Sequence, residues 1–167
     1  MLQGAEDRHG YRVRCFQGRW LRAAARIAVV TGMTGCGGGT PAAADLQFEE
    51  ARVRPAAVSG KDAGTANSAA YLLIRNVGTA SDRLTGAEFG GARRVEIHET
   101  RIGDDGLAMM RPVESLPIPA GAEGRLEPGG VHLRLLGLER SLVAGEKVQL
   151  SLTFQNTGVR RLIADIR

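Results

Sequence analysis

The chain has 167 residues, of which 43% are hydrophobic and 24% are charged, enough for one packed domain and too few for two of ordinary size. Its formal charge of +4 comes from the first 35 residues, which contain six arginines and two acidic residues. The other residues include 16 basic (22 less six) and 16 acidic (18 less two) side chains. A neutral remainder excludes the electrostatic basis for nucleic-acid binding, because phosphates require an uncompensated basic surface.

Residues 1–35 have the pattern of an export signal. The arginine-rich stretch ending in RWLRAAAR precedes the apolar run IAVVTGM, which is shorter than the roughly 20 residues that a membrane-spanning helix needs. The TGC that follows resembles a bacterial lipoprotein processing site, so we expect Cys36 to be lipidated and to anchor the chain on the extracytoplasmic side of the cytoplasmic membrane. Without that lipid the product would be periplasmic or secreted. Residues 36–44 are then a flexible tether, and residues 45–167 form the domain.

The cysteines support this interpretation. Only Cys15 and Cys36 are present, so the processed chain would contain no disulfide and no free thiol to act as a nucleophile or metal ligand.

The domain is predicted to consist of short strands, which in chain order are LQFEEARVR, SAAYLLIRN, DRLTGAEF, RRVEIHET, AMMRPV, GRLEP, VHLRLLGL, KVQLSLTFQ and VRRLIADIR. Several alternate apolar and polar residues with the period of two that half-buried strands show. Turn sequences such as NVGTASD, GDDG and EPGG separate them, and no segment has a long helical period. Eight or nine short strands predict an all-β domain, an antiparallel sandwich or barrel of Greek-key type.

The stretch HETRIGDDGLAMM begins at His98 and ends with Met109 and Met110. With His132, these are the only histidines and methionines after Cys36. Thioethers favour Cu(I), and imidazoles suit copper in either oxidation state. Each residue alone is more often a core or surface side chain, but four such ligands within 35 residues point to copper that is held and released in an oxidising compartment.

Residues 45 to 167 resemble the periplasmic PCu(A)C copper chaperones. The resemblance is carried by AAYLLIRNVGTASDRL, VEIHE, MRPVESLPIPAGAEGRLEPGGVHLRLLGL and GEKVQLSLTF, in that order. It implies a cupredoxin-like β-sandwich that carries copper, most readily Cu(I), without covalent chemistry. It also implies delivery toward the copper centre of respiratory cytochrome oxidase, with that centre or its assembly chaperones as partners.

Carried over residue by residue, the resemblance implies that His98, Met110 and His132 are copper ligands. Eleven residues separate His98 from Met110, one more than in the family's pattern, whereas the 21 residues between Met110 and His132 agree with it. Met109 restores the first spacing and breaks the second, so it is kept as a substitute ligand. On a strand only one of the two methionines can face the side of His98.

Arg134 occupies the position at which the family has the methionine of its His-x-Met motif. A guanidinium stays protonated, so it cannot coordinate copper and repels a cation. Either Arg134 turns outward and leaves a three-ligand site, or it pairs with Asp104, Asp105 or Glu99 and closes a site that no longer carries metal.

Two other classes of function stay open beside a copper carrier. One is a cell-envelope β-sandwich module that contacts proteins and has lost its copper site, which Arg134 favours. The other is a zinc enzyme with His98 and His132 as ligands and Glu99 or Asp105 as base. Because no close-spaced ligand pair of the metallohydrolase kind exists, we expect a protein that is not an enzyme.

Overall fold

A computed structural model describes residues 42–103 and 106–167. The predicted export signal, Cys36 and most of the predicted tether lie outside the described residues. In the part of the chain that is described, no helix is long and apolar enough to cross a membrane.

Ten strands and no helix make up the described residues, which confirms the predicted all-β fold. The strands are β1 (Leu46–Val53), β2 (Asn67–Asn76), β3 (Asp82–Phe89), β4 (Ala92–Ile102), β5 (Ala108–Pro112), β6 (Leu116–Ile118), β7 (Glu123–Leu126), β8 (Val131–Leu138), β9 (Lys147–Phe154) and β10 (Gly158–Ile166). Nine of them correspond to predicted segments. The exception is β6, which has only three residues and a proline at its centre.

The strands form one long sheet in the order β5-β4-β8-β2-β1-β10-β9-β3-β6, and β7 pairs with the same edge of β2 as β8. Neighbouring strands run antiparallel, except that β1 and β10 are parallel. A bulge in β1 between Glu49 and Arg52, with Glu50 in the left-handed region at φ 54°, bends the strand where it begins to pair with β10. The two halves of the sheet pack their apolar faces around a single core.

Strand alternation decides which side chains of β4 and β8 enter this core. Ile97 of β4 and Leu133 and Leu135 of β8 are buried in it. Because successive side chains of a strand point to opposite faces, the adjacent residues His98 and His132 lie on the other face of the same two strands. The core therefore fixes both strands, and the outer face above them is free to carry a site.

Candidate metal centre

His98 and His132 are direct cross-strand neighbours. They lie opposite each other in the antiparallel register of β4 and β8, with ring centroids 6.2 Å apart. Two imidazoles that share one metal at about 2.0 Å from each nitrogen have centroids at most about 6.4 Å apart, since each nitrogen lies about 1.2 Å from its ring centre. The observed separation is therefore compatible with a metal ion held between the rings.

Hydrogen bonds determine which nitrogen of each ring carries its proton. Nε2 of His98 lies 2.8 Å from Oε2 of Glu96, and Nδ1 of His132 lies 3.1 Å from the carbonyl oxygen of Gly130. A carboxylate and a carbonyl can only accept, so both nitrogens donate. Nδ1 of His98 and Nε2 of His132 are left with lone pairs. Metal-ligating histidines show the same arrangement, because an acceptor that binds one ring N–H leaves the other nitrogen free for the metal.

These lone pairs lie in a buried environment. His98 is 5% exposed and His132 6% exposed, although their sheet face lies outside the core. Nδ1 of His98 is buried without a hydrogen-bond partner among the described residues. A buried polar atom without a partner costs roughly 1–3 kcal/mol. A metal ion bound to this nitrogen would offset that cost.

Glu96 supports His98 from the same face of β4. The hydrogen bond from His98, the nearby charge of Arg94 at 3.0 Å and the more distant charge of Arg134 together lower the pKa of Glu96, although partial burial acts in the opposite direction. An ionised Glu96 keeps its role as acceptor and holds the His98 ring in one orientation. Glu96 is not among the site residues predicted from the sequence, but its position two residues before His98 on a strand is a signal that could have found it.

The two adjacent methionines lie on opposite faces of β5. Met110 pairs with Thr100, which shares the His98 face, whereas Met109 pairs with Arg101 on the opposite face. Both side chains are about three-fifths exposed. Met110 is therefore the methionine that lies on the side of the two histidines.

A cavity of about 230 Å³ opens beside the histidine pair. Its lining includes Met110, Thr100 and His132, together with Tyr71, whose ring centroid lies 6.4 Å from that of His132. The structure thus brings one predicted methionine and one predicted histidine to the same cavity, next to the buried His98.

Arg134 also lines this cavity and lies on the face of His132 and Glu96. The expected pairing of Arg134 with Glu99 is not formed, because Glu99 points to the opposite face of β4 and binds Arg101 and Arg111, each at 2.9 Å. Asp104 and Asp105 lie outside the described residues. The orientation of Glu99 also removes it as a base beside the two histidines, and Asp105, the other base of the zinc-enzyme alternative, lies outside the described residues.

In the parts of the chain that are described, no group of three or more His, Cys, Asp or Glu side chains is arranged to hold a metal ion. Among the described residues, a metal centre on this face would need the two histidines and a donor of another kind. The thioether of Met110 is a donor of the kind that soft copper prefers.

The domain is similar in sequence to a described protein family and to a bacterial relative. A protein family described as "Putative lipoprotein LpqE-like" matches residues 46–165. The relative "Putative lipoprotein Lxx21020" of Leifsonia xyli subsp. xyli (strain CTCB07) is 33% identical over 139 residues, which cover 83% of this chain and 84% of the relative.

Similar solved structures are PCuAC domains. The copper-bound PCuAC domain from PmoF2 superposes with a TM-score of 0.58 at 20% identity, covering 73% of this chain and 92% of that domain. The apo PCuAC domain from PmoF1 has the same TM-score and coverage at 24% identity. The Cu(I) form of DR1885 from Deinococcus radiodurans has a TM-score of 0.54 at 27% identity, covering 78% of this chain and 83% of that protein. The predicted cupredoxin-like fold and the resemblance to PCuAC proteins are confirmed.

Proposed function

Because the chain belongs to the LpqE-like lipoprotein family, we propose that it is a lipid-anchored copper carrier of the cell envelope. Cys36 is the proposed lipid attachment site, and copper is the cargo of a site formed by His98, His132 and Met110. The protein sits on the extracytoplasmic side of the cytoplasmic membrane, or is periplasmic or secreted where Cys36 carries no lipid.

The paired histidines are the observation that carries this proposal. Their centroids are 6.2 Å apart, and the N–H of one nitrogen in each ring donates a hydrogen bond to a fixed acceptor. Such an arrangement leaves one lone pair on each ring for a shared ligand. The orphaned Nδ1 of His98 adds a reason for that ligand to be a metal ion, since a buried acceptor gains most from a cation.

Met110 suits a carrier that must release its cargo. Its side chain is 59% exposed at the edge strand β5, so a partner can reach the thioether directly. Two imidazoles and one thioether give a three-coordinate set of the kind that Cu(I) accepts. Copper could then leave by exchange of Met110 for a ligand of the acceptor, with no covalent step.

The family resemblance supplies the proposed destination, which is the copper centre of respiratory cytochrome oxidase or one of its assembly chaperones. Support for copper as the cargo comes from the likeness to the Cu(I) form of DR1885.

A Cu(I) competition titration against a chromogenic chelator tests the proposal. The full chain is used with Cys15 and Cys36 changed to serine, because free thiols would compete for the metal. We expect one-to-one binding that weakens by at least about tenfold in His98→Ala and in His132→Ala. Circular dichroism checks that each variant is folded.

Arg134→Met restores the residue type of the family's motif and should strengthen binding. If the parent binds no copper and only Arg134→Met does, the carrier proposal is wrong. The alternative, an envelope β-sandwich that contacts proteins with a lapsed copper site, would then take its place.

A further inference from the structure

The cavity beside His132 is lined by two positively charged side chains, those of Arg54 and Arg134. None of the described residues that line it is acidic. Neither guanidinium has a carboxylate within ion-pair distance among the described residues. The other charged groups near the histidines are committed elsewhere, since Glu96 accepts from His98 and binds Arg94.

The register of three adjacent chain segments brings the two arginines to either side of a small residue. Arg134 of β8 lies opposite Ala69 of β2, and the backbone N–H of Arg54 donates to the carbonyl of Ala69 at 2.9 Å. Adjacent strands are about 4.8 Å apart, so the two arginine backbones are separated by roughly 10 Å. The residue between them in the ladder is Ala69, whose side chain is a single methyl group, so both long arginine side chains can reach one ligand in the cavity.

A metal ligand borders the same space. His132 is 6% exposed, its Nε2 has no hydrogen bond among the described residues, and its side chain lines the cavity. A copper ion on this nitrogen would be repelled by both guanidinium groups. An anion between the arginines and the ion would remove that repulsion.

We propose that Arg54 and Arg134 bind a small carboxylate or bicarbonate anion in this cavity, and that one oxygen of the anion completes the coordination of copper held by His98 and His132. The inference rests on the proposed copper site and explains how Arg134 can occupy the position of a lost ligand without closing the site. Guanidinium forks match planar O–C–O groups with two parallel hydrogen bonds. Two imidazoles with an oxygen ligand suit Cu(II), so the anion should raise the affinity for that oxidation state.

The anion site is tested first without metal. Sodium bicarbonate and sodium acetate are titrated separately into the metal-free full chain carrying the two cysteine-to-serine changes, with sodium perchlorate at equal ionic strength as the control. We expect saturable NMR shifts at the side-chain N–H groups of Arg54 and Arg134 and at the ring of His132. A response to both anions assigns the site to carboxylates in general, and a response to bicarbonate alone assigns it to carbonate chemistry.

Variants separate specific binding from general screening. Arg54→Gln and Arg134→Gln should abolish the shifts, and Arg134→Lys should weaken them, because lysine keeps the charge and loses the fork. Arg161→Gln, on the exposed part of β10, should leave them unchanged. Shifts that do not saturate, or that survive in both cavity variants, would overturn the inference.

Coupling to copper is measured by Cu(II) titration with and without the anion. We expect saturating anion to raise the affinity by about tenfold in the parent and by less than about twofold in Arg134→Gln. Copper binding that is independent of the anion would overturn this inference and leave the carrier proposal standing. If Cu(II) fails to bind at every anion concentration while Cu(I) binds in the chelator competition, the copper role of the anion is wrong and the carrier proposal stands. If neither oxidation state binds, both are wrong.

Discussion

The two histidines are left with lone pairs on different nitrogens. His98 is oriented by the carboxylate of Glu96 and offers Nδ1, whereas His132 is oriented by the Gly130 carbonyl and offers Nε2. A side-chain substitution can remove the carboxylate of Glu96, but it cannot remove the backbone carbonyl of Gly130. The orientation of His98 is therefore the part of the site that a single conservative change can test.

Glu96→Gln should lower the copper affinity by about tenfold, because a neutral amide holds the Nε2–H of His98 less firmly than a carboxylate does. Glu99→Gln is the matched control, since Glu99 lies on the same strand and faces the opposite side, where it binds Arg101 and Arg111. Both variants are compared with the parent by competition titration. Equal losses in the two variants would show that charge on β4 matters and the orientation of His98 does not.

At this scale the sequence predicts the identity of the site residues better than their geometry. The resemblance picks out His98, Met110 and His132, and a period of two could have added Glu96. The ring orientations could not be predicted, because they depend on pairing between β4 and β8, and three strands separate these two in the chain. The contribution of Arg54 to the cavity depends on tertiary contacts in the same way.

The positions of most strands can be predicted from local sequence pattern, whereas their pairing in the sheet cannot. Alternation and turn sequences located nine of the ten described strands. Buried and exposed side chains alternate along β7 and along most of β3 and β9, whereas all of β5 is exposed. The sequence patterns missed β6, where Pro117 interrupts a run of only three residues and pairing with β3 makes the strand. They also could not place β4 between β5 and β8, which brings Met110 and His132 to the two sides of His98.

Asp82 lies outside the candidate site and connects two parts of the sheet through hydrogen bonds. Its carboxylate accepts from the backbone N–H groups of Arg83 at 2.7 Å, Asn156 at 2.9 Å and Thr157 at 3.0 Å, and so joins the start of β3 to the turn between β9 and β10. Burial acts to raise the pKa of Asp82, but these hydrogen bonds together outweigh it and leave the pKa below the usual 3.8. The ionised form is therefore favoured by folding.

Asp82→Asn should lower the free energy of unfolding at neutral pH by about 1–3 kcal/mol, because the amide cannot accept all three bonds. A depressed pKa adds stability above the unfolded value, and this is lost as the pH falls through the folded value. The difference between parent and variant should therefore shrink below pH 3.8. Urea denaturation at neutral and acidic pH measures both effects.

Asp165→Asn serves as the control, since Asp165 is exposed and, among the described residues, its carboxylate has only a surface ion pair with Lys147 at 3.2 Å. Such pairs contribute about 0–1 kcal/mol. A loss in Asp165→Asn as large as that in Asp82→Asn would contradict the account of Asp82.

For the whole molecule, the charge distribution and the extent of the family match both separate the first 35 residues from the β-domain. All of the net charge belongs to the first 35 residues, and the remainder is neutral. The family match begins at residue 46, just after the predicted tether. We therefore propose that the leader serves export and that the β-domain carries the cargo at the end of a short anchor.

Cys36→Ala should move the protein from the membrane fraction to the soluble extracytoplasmic fraction, because a lipid anchor contributes about 0.8 kcal/mol per buried methylene to membrane binding. Cys15→Ala is the control and should leave the protein in the membrane fraction. Fractionation of cells that produce each variant, followed by immunoblotting, measures the distribution. Retention of Cys36→Ala at the membrane would contradict lipidation at this cysteine.

X-ray absorption spectroscopy of the Cu(I)-loaded full chain, with both cysteines changed to serine, tests whether copper lies between His98 and His132 with Met110 as third ligand. We expect two imidazole nitrogens and one sulfur around the metal. The sulfur should disappear in Met110→Leu and persist in Met109→Leu, because Met109 lies on the opposite face of β5. A spectrum without sulfur in the parent, or sulfur that persists in Met110→Leu, would contradict this ligand set.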